Sequence, residues 1–146
     1  MLRTTTAALA IIVLGTACAL ARDAKEEQKK LDGTWVPVNG EQAGEKFPEE
    51  TLKTIKLVMN DGNWTVTVGD ITDKGTATID PSKTPKTMDI VGTEGPNKDK
   101  KIAAIYELTG DTLKVAYSLD GKERPKDFNA KEGSTFLVFT YKRQKP

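Results

Sequence analysis

Few side chains in this sequence are suited to catalysis. It contains no histidine and a single cysteine, Cys18. Without histidine there is no Ser-His-Asp triad, no His-ligated zinc and no haem held by histidine. Cys18 lies in "GTACALA", close behind an apolar run. A cut after Ala21 would leave the mature chain with no thiolate nucleophile, cysteine zinc site or iron–sulfur site. Carboxylate pairs of the kind used in glycoside hydrolysis remain. The strand candidates, Asp89 and Glu107, each sit opposite the apolar stripe of their own strand, where alternation turns them to solvent. No run has EF-hand spacing. "GTEGPN" lacks both the Lys-Ser/Thr pair and the strand-loop-helix setting of a phosphate loop. The expectation is no enzyme, no catalytic residue, no metal and no cofactor.

Binding is the other chemistry that these residues offer. Trp64, Tyr106 and Tyr117, with Leu57 and Met88, fall on the apolar faces of alternating segments. Flat rings with polar tips suit the wall of a small-molecule site, and they suit a packed core equally well. Phe128 stands in the long late loop "DGKERPKDFNAKEG". It either anchors that loop by burying one ring or folds inward over an open end as part of a lid.

These side chains are held by β-structure. Short apolar-alternating runs at 34–38, 54–60, 64–68, 73–80, 87–91, 101–108, 111–119 and 134–143 predict about eight strands. Asp61-Gly62 marks one hairpin turn and Thr109-Gly110 a second. Pro37 confines the first strand to an edge or an end. Pro48, followed by Glu49 and Glu50, opens the one short helix of the domain. Closing so many short strands into an antiparallel up-and-down barrel removes both exposed edges, although periodicity alone also allows a sandwich. The last strand is apolar on both faces, with Phe136 and Val138 opposite Leu137, Phe139 and Tyr141. That predicts a helix or the N-terminal segment packed against its outside.

The 146 residues make one domain, assigned as a leader over 1–21, a charged lead-in over 22–30 and the barrel over 31–146. Arg3, the apolar run Ala7 to Leu14 and the ending Ala19-Leu20-Ala21 have the anatomy of a secretory signal peptide. The apolar run is too short to span a bilayer. Gly15, rather than a leucine, stands three residues before Cys18, which favours release to the periplasm or the exterior over a lipid anchor on Cys18. Loss of Arg3 with the leader takes Lys+Arg from 22 to 21, against 21 Asp+Glu. A neutral mature chain has no electrostatic pull toward nucleic acid or an anionic membrane. In the lead-in, Asp23 and Glu26 have capping-box spacing, and the charge run reads as a solvated face on one or two helical turns.

Gly33-Thr34-Trp35 at the start of the first strand, with Arg143 ending the last, resembles the lipocalin and calycin pattern. In that family the Trp closes the base of the barrel and the Arg packs across its ring. "GTWVPV", "PEETLK", "GTATIDPSKTPKTMDI", "TEGPNKDKKIAAIYELTGDTLKVAYS", "GKERPKDF" and "FLVFTYKR" also occur in order. The chain thereby looks like a small secreted domain, multicopy in planctomycete bacteria and without an assigned activity. The resemblance implies a lipocalin-like barrel in an extracytoplasmic bacterial setting. Relatives often carry Cys where this chain has Ala116, so a thiol role would not carry over.

Two functional readings follow. In the first, an exported barrel, expected to be monomeric, holds a small apolar ligand. In the second, a filled barrel contacts an envelope protein partner through its surface.

Overall fold

The computed structural model describes residues 13–146, with side chains from Cys18 onward. The core of the signal-peptide assignment, residues 1–12, lies outside the described residues. Two helices and nine strands follow in chain order: α1 Val13–Leu31, β1 Gly33–Gln42, β2 Glu45–Lys46, α2 Glu49–Leu52, β3 Ile55–Asn60, β4 Asn63–Val68, β5 Ile71–Asp80, β6 Lys86–Glu94, β7 Lys101–Thr109, β8 Thr112–Ser118 and β9 Phe136–Arg143.

Every neighbouring pair is antiparallel. Strands β3 to β9 follow one another in sequence order, and β1 pairs with both β3 and β9, closing an eight-stranded up-and-down barrel. The two-residue β2 only extends a hairpin from the end of β1. Closure settles the choice between barrel and sandwich. β1 runs through Pro37 rather than ending there. Its pairing with β3 stops at Trp35, and its register against β9 shifts between Pro37 and Asn39. The proline thus sits where the ladder is already broken, a position that tolerates a missing N–H.

The local chemistry explains the turns. Asp61 and Gly62 both have positive φ, 48° and 78°, the requirement of a two-residue type I′ hairpin whose twist matches its strands. Two more two-residue hairpins turn on Gly69-Asp70, which the sequence reading does not mark, and on Gly110-Asp111, one residue later than expected; Gly69 and Gly110 each have φ 59°. Gly75 answers to packing: a Cβ there would overlap the Val91 carbonyl oxygen and the Trp64 ring. The Trp64 indole can lie flat across β5 because position 75 has no side chain.

The N-terminal helix departs from the expected short solvated segment. It runs unbroken past the Ala21-Arg22 step to Leu31, and Asp23 lies inside it rather than at its N-cap. Its last turns seal one end of the barrel. Leu31 and Trp35 have no exposed surface, and the Trp35 indole N–H donates to the Leu31 carbonyl at 2.9 Å. The Arg143 guanidinium lies 4.3 Å from the Trp35 ring centroid. It also donates to the carbonyls of Lys30 and Asp32 at 2.7 and 2.6 Å, capping the negative end of the helix. Gly33, at φ 135°, passes beneath it, and a Cβ there would lie 2.8 Å from Arg143 Nη1. Gly33, Trp35 and Arg143 therefore meet at a single point.

Glu27 is also drawn into this end. It is 7% exposed, receives Lys86 Nζ at 2.5 Å and accepts a long hydrogen bond from the Tyr106 hydroxyl at 3.4 Å. One residue of the supposed solvated charge run thus ties the helix to β6 and β7.

Candidate functional site

The inward faces of the barrel strands surround a cavity of about 330 Å³. Alternation positions its walls. Ile55, Leu57 and Met59 come from β3, Trp64, Val66 and Val68 from β4, and Met88 and Ile90 from β6. Leu113, Val115 and Tyr117 from β8 face Leu137, Phe139 and Tyr141 from β9. Phe47, just before α2, stacks on Phe139 with ring centroids 5.5 Å apart, and Phe139 lies 5.5 Å from Tyr141. These three rings form a continuous aromatic wall. The end away from α1 carries Phe47 and Thr51, both partly exposed, with Val68 and Leu119 open to solvent.

Polar groups on these walls are few. Trp64 commits its indole N–H to the Thr76 carbonyl at 3.1 Å. Asp73 is 4% exposed, points inward on β5, and takes both the backbone N–H and the side-chain amide of Asn97. It is the one charged side chain lining the cavity, and no lysine or arginine joins it. Deeper in, the hydroxyls of Tyr117 and Tyr141 lie 3.1 Å apart. Burial pushes the Tyr117 phenol up to about 12, partly offset by its hydrogen bond with Tyr141. Tyr141 is raised well above the ordinary value by burial and by Tyr117 beside it. Both are neutral hydroxyls across the physiological range.

Of the candidates read from sequence, Leu57, Trp64, Met88 and Tyr117 come together in this wall. Tyr106 does not. It belongs to the core but lies at the closed end, 1% exposed, with its hydroxyl turned to Glu27. Phe128 takes the first of its two readings, a ring that anchors its loop, and not the lid: it lies outside the barrel and covers nothing at the mouth. It packs on the outward residues Ile105, Ala116 and Val138 with Ala130, and Lys114 Nζ stands 5.5 Å from its ring centroid. Arg124 pins the same loop to the wall, donating to the carbonyls of Met88 and Ala104 at 3.2 and 2.8 Å and pairing with Asp89. This loop, rather than a helix or the N-terminal segment, covers the second apolar face of β9. The physical reason is shared burial: Ile105, Ala116 and Val138 form a three-strand apolar patch, and one aromatic ring removes it from water.

Phe128→Ala should therefore cost about 1–2 kcal/mol, the worth of a half-buried ring, and leave the cavity as it is. Equilibrium urea unfolding alongside ligand titration separates the two effects.

Asp73, Asn97, Phe47, Phe139 and Tyr141 were not among the sequence candidates. A signal existed for three of them, Asp73, Phe139 and Tyr141. Asp73 shares the parity of Gly75 and Ala77 on β5, and Tyr141 shares that of Leu137 and Phe139 on β9. Asn97 and Phe47 come from connecting segments, where no periodicity operates. Asp89 and Glu107 are exposed on the outside of different strands, and Asp89 pairs with Arg124 rather than with a second carboxylate. Among the described residues, no group of three or more His, Cys, Asp or Glu is placed to hold a metal ion. No described helix is long and apolar enough to cross a membrane.

No protein-family model matches the chain, and neither a curated protein nor a solved structure matches it.

Proposed function

We propose that this protein is an exported, lipocalin-like binding protein that holds one small apolar molecule inside its barrel and performs no catalysis on it. The observation that carries this reading is the cavity of about 330 Å³ inside the barrel, walled almost wholly by apolar and aromatic side chains. Ligand sites are concave, mostly apolar and provided with a few placed polar groups, and this volume lies at the lower end of their usual range. A filled barrel acting through its surface would need side chains to occupy that space, so the cavity weighs against the second reading. Export rests on the leader anatomy around Arg3 and Ala19-Leu20-Ala21.

Native mass spectrometry of the protein recovered from producing cells tests both parts. The mature mass is expected to begin at Arg22, and a lipid on Cys18 would show as added mass instead. A small molecule present under native ionisation and lost on denaturation is the expected result. Val66→Trp, which places an indole in the middle of the cavity, should abolish that adduct while the β-sheet circular dichroism is retained. A bare mass in the parent protein, from cells able to supply ligands, would overturn the carrier reading.

A further inference from the structure

The polar groups on the cavity wall restrict what can occupy it. Most of these groups can be followed to a partner or to solvent. The Trp64 indole N–H goes to Thr76, both Asp73 oxygens go to Asn97, and Thr51 stands partly exposed at the mouth, within reach of solvent. The Tyr117–Tyr141 pair is different. Two hydroxyls supply two protons, and the single bond between them, 3.1 Å long, uses one. Among the described residues, neither hydroxyl has a further acceptor, so one O–H remains to be satisfied on an apolar wall. An unpaired buried donor is costly, and a ligand that accepts from it removes the cost.

Charge limits the ligand from the other side. A bound carboxylate would leave water for a cavity with no cationic side chain and with Asp73 as the one charge on its wall. Burying an anion without a partner, beside a like charge, is strongly unfavourable. Volume sets the size: at about 30 Å³ for each water-sized group, the cavity holds on the order of ten non-hydrogen atoms.

We propose that the barrel selects an uncharged molecule of roughly this size, with an apolar body and one hydrogen-bond acceptor such as a ketone or ester carbonyl, and that the acceptor seats on the Tyr117–Tyr141 hydroxyl pair. This rests on the carrier reading above and specifies its ligand. Either hydroxyl can supply the proton, so a single Tyr→Phe change leaves one donor in place. The double change Tyr117→Phe/Tyr141→Phe leaves none while keeping both rings.

Three probes share a ten-carbon phenylbutyl skeleton: butylbenzene, butyrophenone with a benzylic ketone, and phenylbutyrate with a terminal carboxylate. Calorimetric titration of the full-length protein at neutral pH should show butyrophenone binding about tenfold tighter than butylbenzene, the worth of one buried hydrogen bond. Phenylbutyrate should bind weakest. In the double variant the hydrocarbon should still bind, and the ketone should lose its advantage. Equal binding of butylbenzene and butyrophenone to the parent protein, or phenylbutyrate binding as tightly as the ketone, would overturn the inference while leaving the carrier reading intact. If none of the three binds, the carrier reading itself fails and takes this inference with it. The comparison of probes on the parent protein needs no variant, so a double variant that does not fold leaves the test standing.

Discussion

Raising the pH above 10 is expected to unfold this protein along a steep slope set by its tyrosines. The chain has three, and all are held protonated in the fold. Tyr106 is raised from the ordinary value of 10.0, first by burial and then by the Glu27 carboxylate that accepts its hydrogen bond. Burial raises Tyr117 to about 12, and burial with the neighbouring Tyr117 raises Tyr141. In the unfolded chain the three lose their protons near 10. In the folded chain they do so only at higher pH, so the folded state binds more protons throughout that window. The stability these groups contribute is complete below about pH 10 and is lost as the pH climbs through the folded values. Each tyrosine contributes about 1.4 kcal/mol per pH unit where only the unfolded form ionises, so three approach about 4 kcal/mol per unit. A domain with a stability of about 5–15 kcal/mol should then unfold within a narrow alkaline range. Urea midpoints measured at rising pH, with tyrosinate absorbance followed in parallel, check this. Absorbance and loss of β-sheet signal should rise together. Tyrosinate appearing in a protein that still folds would show that these rings are less enclosed than their positions imply.

Trp35→Ala should be the most damaging single truncation at the closed end. The side chain has no exposed surface, and truncating a buried Trp costs about 3–5 kcal/mol. Three further interactions are lost with the ring. The Leu31 carbonyl loses the indole N–H, Arg143 loses the face it lies over, and the last turn of α1 loses the platform it packs on. Leu31 and Glu27, both buried through α1, depend on that docking. Exposure of the α1 end should therefore accompany the loss in stability, readable as faster amide exchange over 27–32. Trp35→Phe retains most of the packing but not the N–H donor. It should cost about 1–2 kcal/mol, the size of one buried hydrogen bond left unmade. If Trp35→Ala shifts the urea midpoint by no more than a surface substitution does, the closure formed by α1, Trp35 and Arg143 is not what stabilises this end.

Much of the barrel is readable from local pattern. The strands β3, β4, β7 and β8 are visible as period-two alternation, and Asp61-Gly62 is visible as a turn because few other pairs adopt two positive φ angles without strain. The Gly33, Trp35 and Arg143 set is not read from pattern: it is what the resemblance implies, and the three residues are brought together only by the β1–β9 pairing that closes the sheet. Phe128 and Tyr106 show where this reading stops. Each is a single aromatic ring whose type says that it will be buried and not against what. Phe128 found an outward patch shared by three strands, and Tyr106 found a carboxylate from a helix 79 residues away in sequence.

By itself, then, the sequence determined the β class, the approximate number of barrel strands, the alternation of the central strands and the Asp61-Gly62 turn, because each of these follows from steric and solvation preferences acting within a few residues. Tertiary structure decided the rest. The closure between β1 and β9 chose a barrel over a sandwich and made one parity the inside. The docking of α1 buried Glu27 out of a charged run. The curvature of eight strands left about 330 Å³ unfilled between side chains that could equally have packed together. A cavity is a difference between the volume a closed sheet encloses and the volume its inward residues occupy. No local pattern encodes that difference, because it depends on all eight strands at once.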